Sequence, residues 1–90
     1  MIISTRIRDI RHQYGISLHE LSEKAGISIQ QLSRLELGNI AATAYQEQQL
    51  FTAVAQLITD RRAAMDQLEL ELVQCSGQLL RPTEVTQNDP

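Results

Sequence analysis

Gln30, Gln31 and Arg34 are the residues whose types and spacing most clearly suggest a chemistry. A glutamine amide can bond twice to an adenine edge and a guanidinium twice to a guanine edge, so three such side chains on one stretch are suited to reading bases. Nothing in the chain points as clearly to catalysis or metal binding. His12 and His19 lie seven apart on different expected elements and form no ligand cluster, and the single Cys75 supplies neither an intrachain disulfide nor a structural zinc site. The sequence has no nucleophile and base constellation and no glycine-rich phosphate loop. No catalytic residue, metal or cofactor is therefore expected.

The segments that would carry these side chains are marked by repeated start and stop signals. Ile3, Ile7 and Ile10 fall on one face of a first helix expected over residues 4–14, which Gly15 ends. Ser17-Leu18-His19-Glu20 fits a capping box and opens a short helix with Leu18, Leu21 and Ala25 inward and Gly26 as its turn. Ser28-Ile29-Gln30-Gln31 repeats the signal, with Ile29, Leu32 and Leu35 as the apolar face and Gly38-Asn39 as the close. Two short helices whose caps stand 11 residues apart around a glycine have the dimensions of a helix-turn-helix. Ser22 is small enough for close packing of the two helices, and Leu21, Ile27, Leu32 and Leu35 can share a core.

From Thr43 to Ser76 the chain contains no Gly or Pro, and Thr43-Ala44-Tyr45-Gln46 offers a further capped start. A long helix follows, or two nearly collinear ones; a break near Thr59-Asp60 would instead fold the segment into a hairpin. Phe51, Val54, Ile58, Arg61, Met65, Leu68, Leu72, Cys75 and Leu79 alternate by 3 and 4, a heptad seam with one charged interruption. Such a seam needs a partner, and the first eight of these residues are the expected dimerisation surface. Arg61 either runs its stem along the seam with its head in solvent, or meets an acid such as Asp60, Glu69 or Glu71 on a neighbouring helix and fixes register. Cys75 reads as a small seam residue. Gly77 ends or frays the helix, and the polar residues 81–90 form a tail.

Composition supports an all-α class: the 90 residues include three aromatics, no Trp, four Gly and two Pro. A chain this short buries only about 60 to 65% of its unfolded surface, which limits it to one compact module. The expected organisation is a helix-turn-helix region at 1–42, a long helical, coiled-coil-like dimerisation segment at 43–80 and a flexible tail at 81–90. The net charge of −3 is unevenly spread. Residues 1–39 carry five cations against four anions, and residues 40–90 three against seven. The acidity thus lies away from the candidate reader, and net charge bears on solubility and steering rather than fold. No apolar run approaches the ~20 residues of a membrane span, and the N-terminus lacks a signal peptide's apolar core. An intracellular, membrane-free protein is expected.

Over residues 7–39, IRDIRHQYGISLHELSEKAGISIQQLSRLELGN, the chain resembles the Cro and phage-repressor family of helix-turn-helix proteins, also called the xenobiotic-response-element family. The resemblance implies a five-helix DNA-binding domain, bacterial or phage-encoded and cytoplasmic, whose third helix enters the major groove. It also implies that Arg11, late in helix one, pairs structurally with Glu36 at the end of the reading helix. The chain departs from the pattern at Leu18, where the family usually has glutamine, and after Asn39, where its short fourth and fifth helices are not matched.

On this reading Ser28, Gln30, Gln31 and Arg34 face base edges, while Ser17, His19, Asn39 and Arg8 are candidates for phosphate. Ser17 and Ser28 serve first as caps, and exposed polar side chains can also be no more than a solvated face. The expected function is a sequence-specific transcriptional regulator, a repressor binding a palindromic stretch of double-stranded DNA as a homodimer. The alternative is a protein-interaction module, or an antitoxin-like adaptor, whose acidic long helix holds a partner protein.

Overall fold

The computed structural model describes residues 4–83. Its elements are α1 (Arg6–Gln13), α2 (Leu18–Ala25), α3 (Ile29–Glu36) and α4 (Ala44–Gln74), with no strand among the described residues. The chain divides into two compact units, Met1–Asp60 and Arg61–Pro90. The sequence-based boundary at residue 42 falls inside the first.

In the first unit, the capping signals act where the sequence places them. The Ser17 hydroxyl accepts from the Glu20 amide at 2.9 Å and the Ser28 hydroxyl from the Gln31 amide at 3.2 Å, each satisfying a donor that has no partner within the first helical turn. At the start of α4 the box is reciprocal, with Gln46 N–H donating to Thr43 Oγ1 and Thr43 N–H to Gln46 Oε1, both at 3.0 Å. Gly26 ends α2 at φ 69°, a left-handed conformation that costs glycine little because it has no Cβ. That turn lets the amide of Ile27 reach back to Ser22 C=O at 3.3 Å and sends the Ile27 side chain into the core. Gly15, at φ 64°, does the same for Ile16, whose amide bonds Arg11 C=O at 2.8 Å.

The core combines Leu21 and Ala25 of α2, Leu32 and Leu35 of α3, the turn residues Ile16 and Ile27, and Leu50, Ala53 and Leu57 of α4. Leu21 and Leu32 are fully buried. Each such leucine contributes about 1.5 to 3 kcal/mol relative to exposure.

Four expectations need correction or narrowing. α1 begins at Arg6 rather than Ser4, because Thr5 takes the extended N-cap conformation. Ile10 is 38% exposed and Ile29 41%, so neither is a core residue. Ile7 packs at the core's edge, and Ile3 lies outside the described residues. In place of short fourth and fifth helices the described residues have the single α4, unbroken through Thr59-Asp60. Local bonds satisfy both of those residues inside the helix: Thr59 Oγ1 donates to Ala55 C=O at 3.2 Å, and Asp60 accepts from Gln56 Nε2 at 3.0 Å.

The second unit carries α4 to its end at Gln74. Turns follow, with Gln78 N–H on Cys75 C=O at 2.8 Å and Arg81 N–H on Gln78 C=O at 3.1 Å. Gly77 lies three residues beyond the helix end. Every described side chain here is exposed except half-buried Arg61. Of the expected tail, residues 84–90 lie outside the described residues.

Candidate nucleic-acid interface

The helical period sets which residues α3 can offer. Leu32, Leu35 and Glu36 are its buried side, which turns Gln30 and Arg34, one turn apart, to the opposite face, with Gln31 on one flank. Gln30, Gln31 and Arg34 are all exposed, and Ser28 stands at the helix start as its cap. Two flexible amides and one guanidinium thus share a surface that core packing does not use. That surface can donate and accept hydrogen bonds together, as base-edge reading requires.

The remaining candidates are spread around the motif. Ser17 caps α2, and His19 stands in the first turn of α2 with Nε2 3.5 Å from Glu23 Oε1, both side chains 70% exposed. Asn39 is exposed, and its amide donates to Arg34 C=O at 2.9 Å, closing α3. Arg8 is half-buried on α1.

α3 is held by contacts that arrive from distant parts of the chain. Arg11 donates from Nε and Nη2 to the two carboxylate oxygens of Glu36, at 2.8 and 2.9 Å, and from Nη1 to Ile16 C=O at 3.2 Å. The Glu36 hydrogen bond, opposed by partial burial, raises the Arg11 pKa above its ordinary value. Thr5 spends its hydroxyl on Glu36 C=O at 2.8 Å instead of capping its own helix. In the turn, buried Ser22 donates to Ile27 C=O at 2.5 Å. No buried side-chain polar atom among the described residues lacks a partner.

Three positioning contacts had no sequence signal: Thr5 on Glu36, Gln49 Nε2 on Ala25 C=O at 3.2 Å, and Lys24 Nζ on Asp60 Oδ2 at 2.8 Å. Each joins residues at least 24 apart, beyond the reach of any local pattern.

The expected dimerisation residues are mostly exposed. Within the first unit Val54 packs against the core's edge, while Phe51 is 71% and Ile58 47% exposed. In the second, Met65, Leu68, Leu72 and Cys75 are exposed and Arg61 is half-buried. Among the described residues no helix is long and apolar enough to cross a membrane.

Comparison with known proteins adds one finding: residues 7–44 match the model of the Helix-turn-helix family. No curated protein and no solved structure matches the chain. The match spans α1 to α3 and ends at the first residue of α4, so it covers the caps, the glycine turn and the Arg11–Glu36 pair just described. Over residues 7–44 the chain is similar to helix-turn-helix proteins of the Cro and phage-repressor type.

Proposed function

We propose that the protein is a sequence-specific DNA-binding regulator, a repressor that occupies a palindromic or pseudo-palindromic operator as a homodimer. The observation that carries this reading is the exposed Gln30, Gln31 and Arg34 surface on a helix fixed from behind by Arg11, Thr5 and Ser22. A rigid helix presenting bidentate donors and acceptors is what direct readout in the major groove requires. Ser28 joins that set at the helix start. Ser17, His19, Asn39 and Arg8 supply phosphate contacts, which set position and confer salt dependence. The setting is the cytoplasm of a bacterium, with the gene carried by the bacterium or a phage.

Dimerisation runs through Phe51, Val54, Ile58, Arg61, Met65, Leu68, Leu72 and Cys75. Exposed apolar rows of this kind mark interaction surfaces, and a two-fold pair of reading heads matches an inverted repeat with half-sites about one helical turn apart or a multiple of it. Selection of duplexes from a random pool tests the reading. Enrichment of an inverted repeat, lost when Gln30, Gln31 and Arg34 are changed to Ala, is the expected result; no enrichment by folded protein would overturn it.

A second reading has its own support. In the second unit Leu68, Leu70, Leu72 and Val73 are each more than half exposed among acidic neighbours Asp66, Glu69 and Glu71. A surface both apolar and acidic suits an adaptor or antitoxin-like protein that holds a partner protein there. Recovery of one stoichiometric protein partner in the absence of DNA would favour it.

A further inference from the structure

Within the first unit, α1 and the first half of α4 enclose an open groove of about 500 Å³ whose walls are mostly apolar. Buried Leu35 and Leu50 line it, with Ile7 and Ile10 on the α1 side and Phe51 and Ile58 on the α4 side. Phe51 is far more exposed than a residue that serves the core. The two sides also carry opposite charges: Arg6 lies one turn before Ile10, and Glu47 one turn before Phe51. Neither Arg6 nor Glu47 forms an ion pair among the described residues.

We infer that this groove is a two-fold docking site for a second copy of the chain, in which Phe51 of each copy enters the groove of the other and Arg6 of each meets Glu47 of the other. An isologous interface must be self-complementary, since every contact is made twice with roles exchanged. This surface meets that demand in shape, with a protruding ring and a cavity on one patch, and in charge, with a cation on one side and an anion on the other. The inference rests on the dimeric reading above and narrows it: the seam is anchored at its Phe51, Val54 and Ile58 end, against α1, and the residues from Arg61 onward only extend that contact.

Sedimentation of the full chain tests this. The wild type is expected to be a dimer, and Phe51→Glu a folded monomer with Kd raised about 100-fold or more, the effect of removing a central anchor. Because Phe51 is exposed, circular dichroism of the variant should be unchanged. Arg6→Glu and Glu47→Arg should each weaken the dimer about tenfold, and the double exchange should restore it. A monomeric wild type, or a dimer that survives Phe51→Glu but is lost in Leu68→Glu, would overturn the inference, as would a double exchange no better than the single ones. Duplex selection separates the two proposals. Phe51→Glu keeps the reading helix and should select a lone half-site. A wild type that dimerises through the groove yet selects no sequence would sink the DNA reading alone.

Discussion

Arg11 closes a fork on Glu36, with Nε 2.8 Å from Oε2 and Nη2 2.9 Å from Oε1, and the Glu36 side chain is only 2% exposed. The pair ties the end of α1 to the end of the reading helix. Removing one partner strands a buried charge, so Arg11→Met should destabilise the domain by about 3 to 5 kcal/mol, while Arg11→Met with Glu36→Leu should recover much of that loss. Arg11→Lys should fall between, because an ammonium cannot make the planar two-point contact. Urea unfolding of the three variants checks the order. A single Arg11→Met that costs under about 1 kcal/mol would mean the pair does not anchor α3.

The turn between α2 and α3 makes a separate prediction. Gly26 has open space where a Cβ would stand, so Gly26→Ala meets no clash, and its cost is the left-handed backbone alone, about 1 to 2 kcal/mol. Gly26→Asn should cost less, because asparagine tolerates that conformation better. Ser22→Ala leaves Ile27 C=O without its side-chain donor and should cost about 1 to 3 kcal/mol. Thermal unfolding should place Asn above Ala at position 26; the reverse order would contradict the backbone account.

Much of this geometry is legible locally. The caps at Ser17, Ser28 and Thr43 are four-residue signals, and each forms the expected side-chain bond. The Arg11–Glu36 pair, 25 residues apart, is legible only through family resemblance. Which row of α4 faces inward was not legible. Leu50-Ala53-Leu57 and Phe51-Val54-Ile58 have the same 3 and 4 spacing, one residue out of phase. The first row goes inward in the structure. Periodicity alone could not choose between them, because the choice depends on the shape of α2 and α3. Ile29 likewise shares the 3-residue spacing of Leu32 and Leu35, yet the burial of Leu32, Leu35 and Glu36 turns it to the margin.

The Lys24–Asp60 pair predicts a pH dependence. Hydrogen bonding to Lys24 first, and to Gln56 second, holds the Asp60 carboxyl below its ordinary 3.8; the bond to Asp60 raises the Lys24 ammonium above its ordinary 10.5. The depressed carboxyl contributes stability above about pH 3.8 that disappears as pH falls through the lowered value. The raised ammonium contributes stability below about pH 10.5 that disappears as pH rises through the raised value. Lys24→Met should therefore lower Tm slightly at neutral pH, and the difference should shrink at both extremes and in high salt. Differential scanning calorimetry at low, neutral and high pH checks this. A gap from wild type that stays constant across pH would assign the effect to packing of the lysine stem.

The reading surface separates stability from affinity. Gln30, Gln31 and Arg34 are exposed, so changing each to Ala should alter unfolding free energy by no more than about 0.5 kcal/mol. Each should nonetheless cost about 1 to 3 kcal/mol of discrimination at one base pair of the operator. His19→Ala and Arg8→Ala should act differently, weakening all duplexes alike, and Arg8→Ala should also flatten the dependence of log K on log salt by about one phosphate contact. Fluorescence anisotropy on the selected operator and on a scrambled duplex, each over a range of salt, distinguishes the two classes. Losing Arg34 should narrow the gap between operator and scrambled duplex. If instead it weakened both equally, Arg34 would be a phosphate contact, and base reading would rest on Gln30 and Gln31.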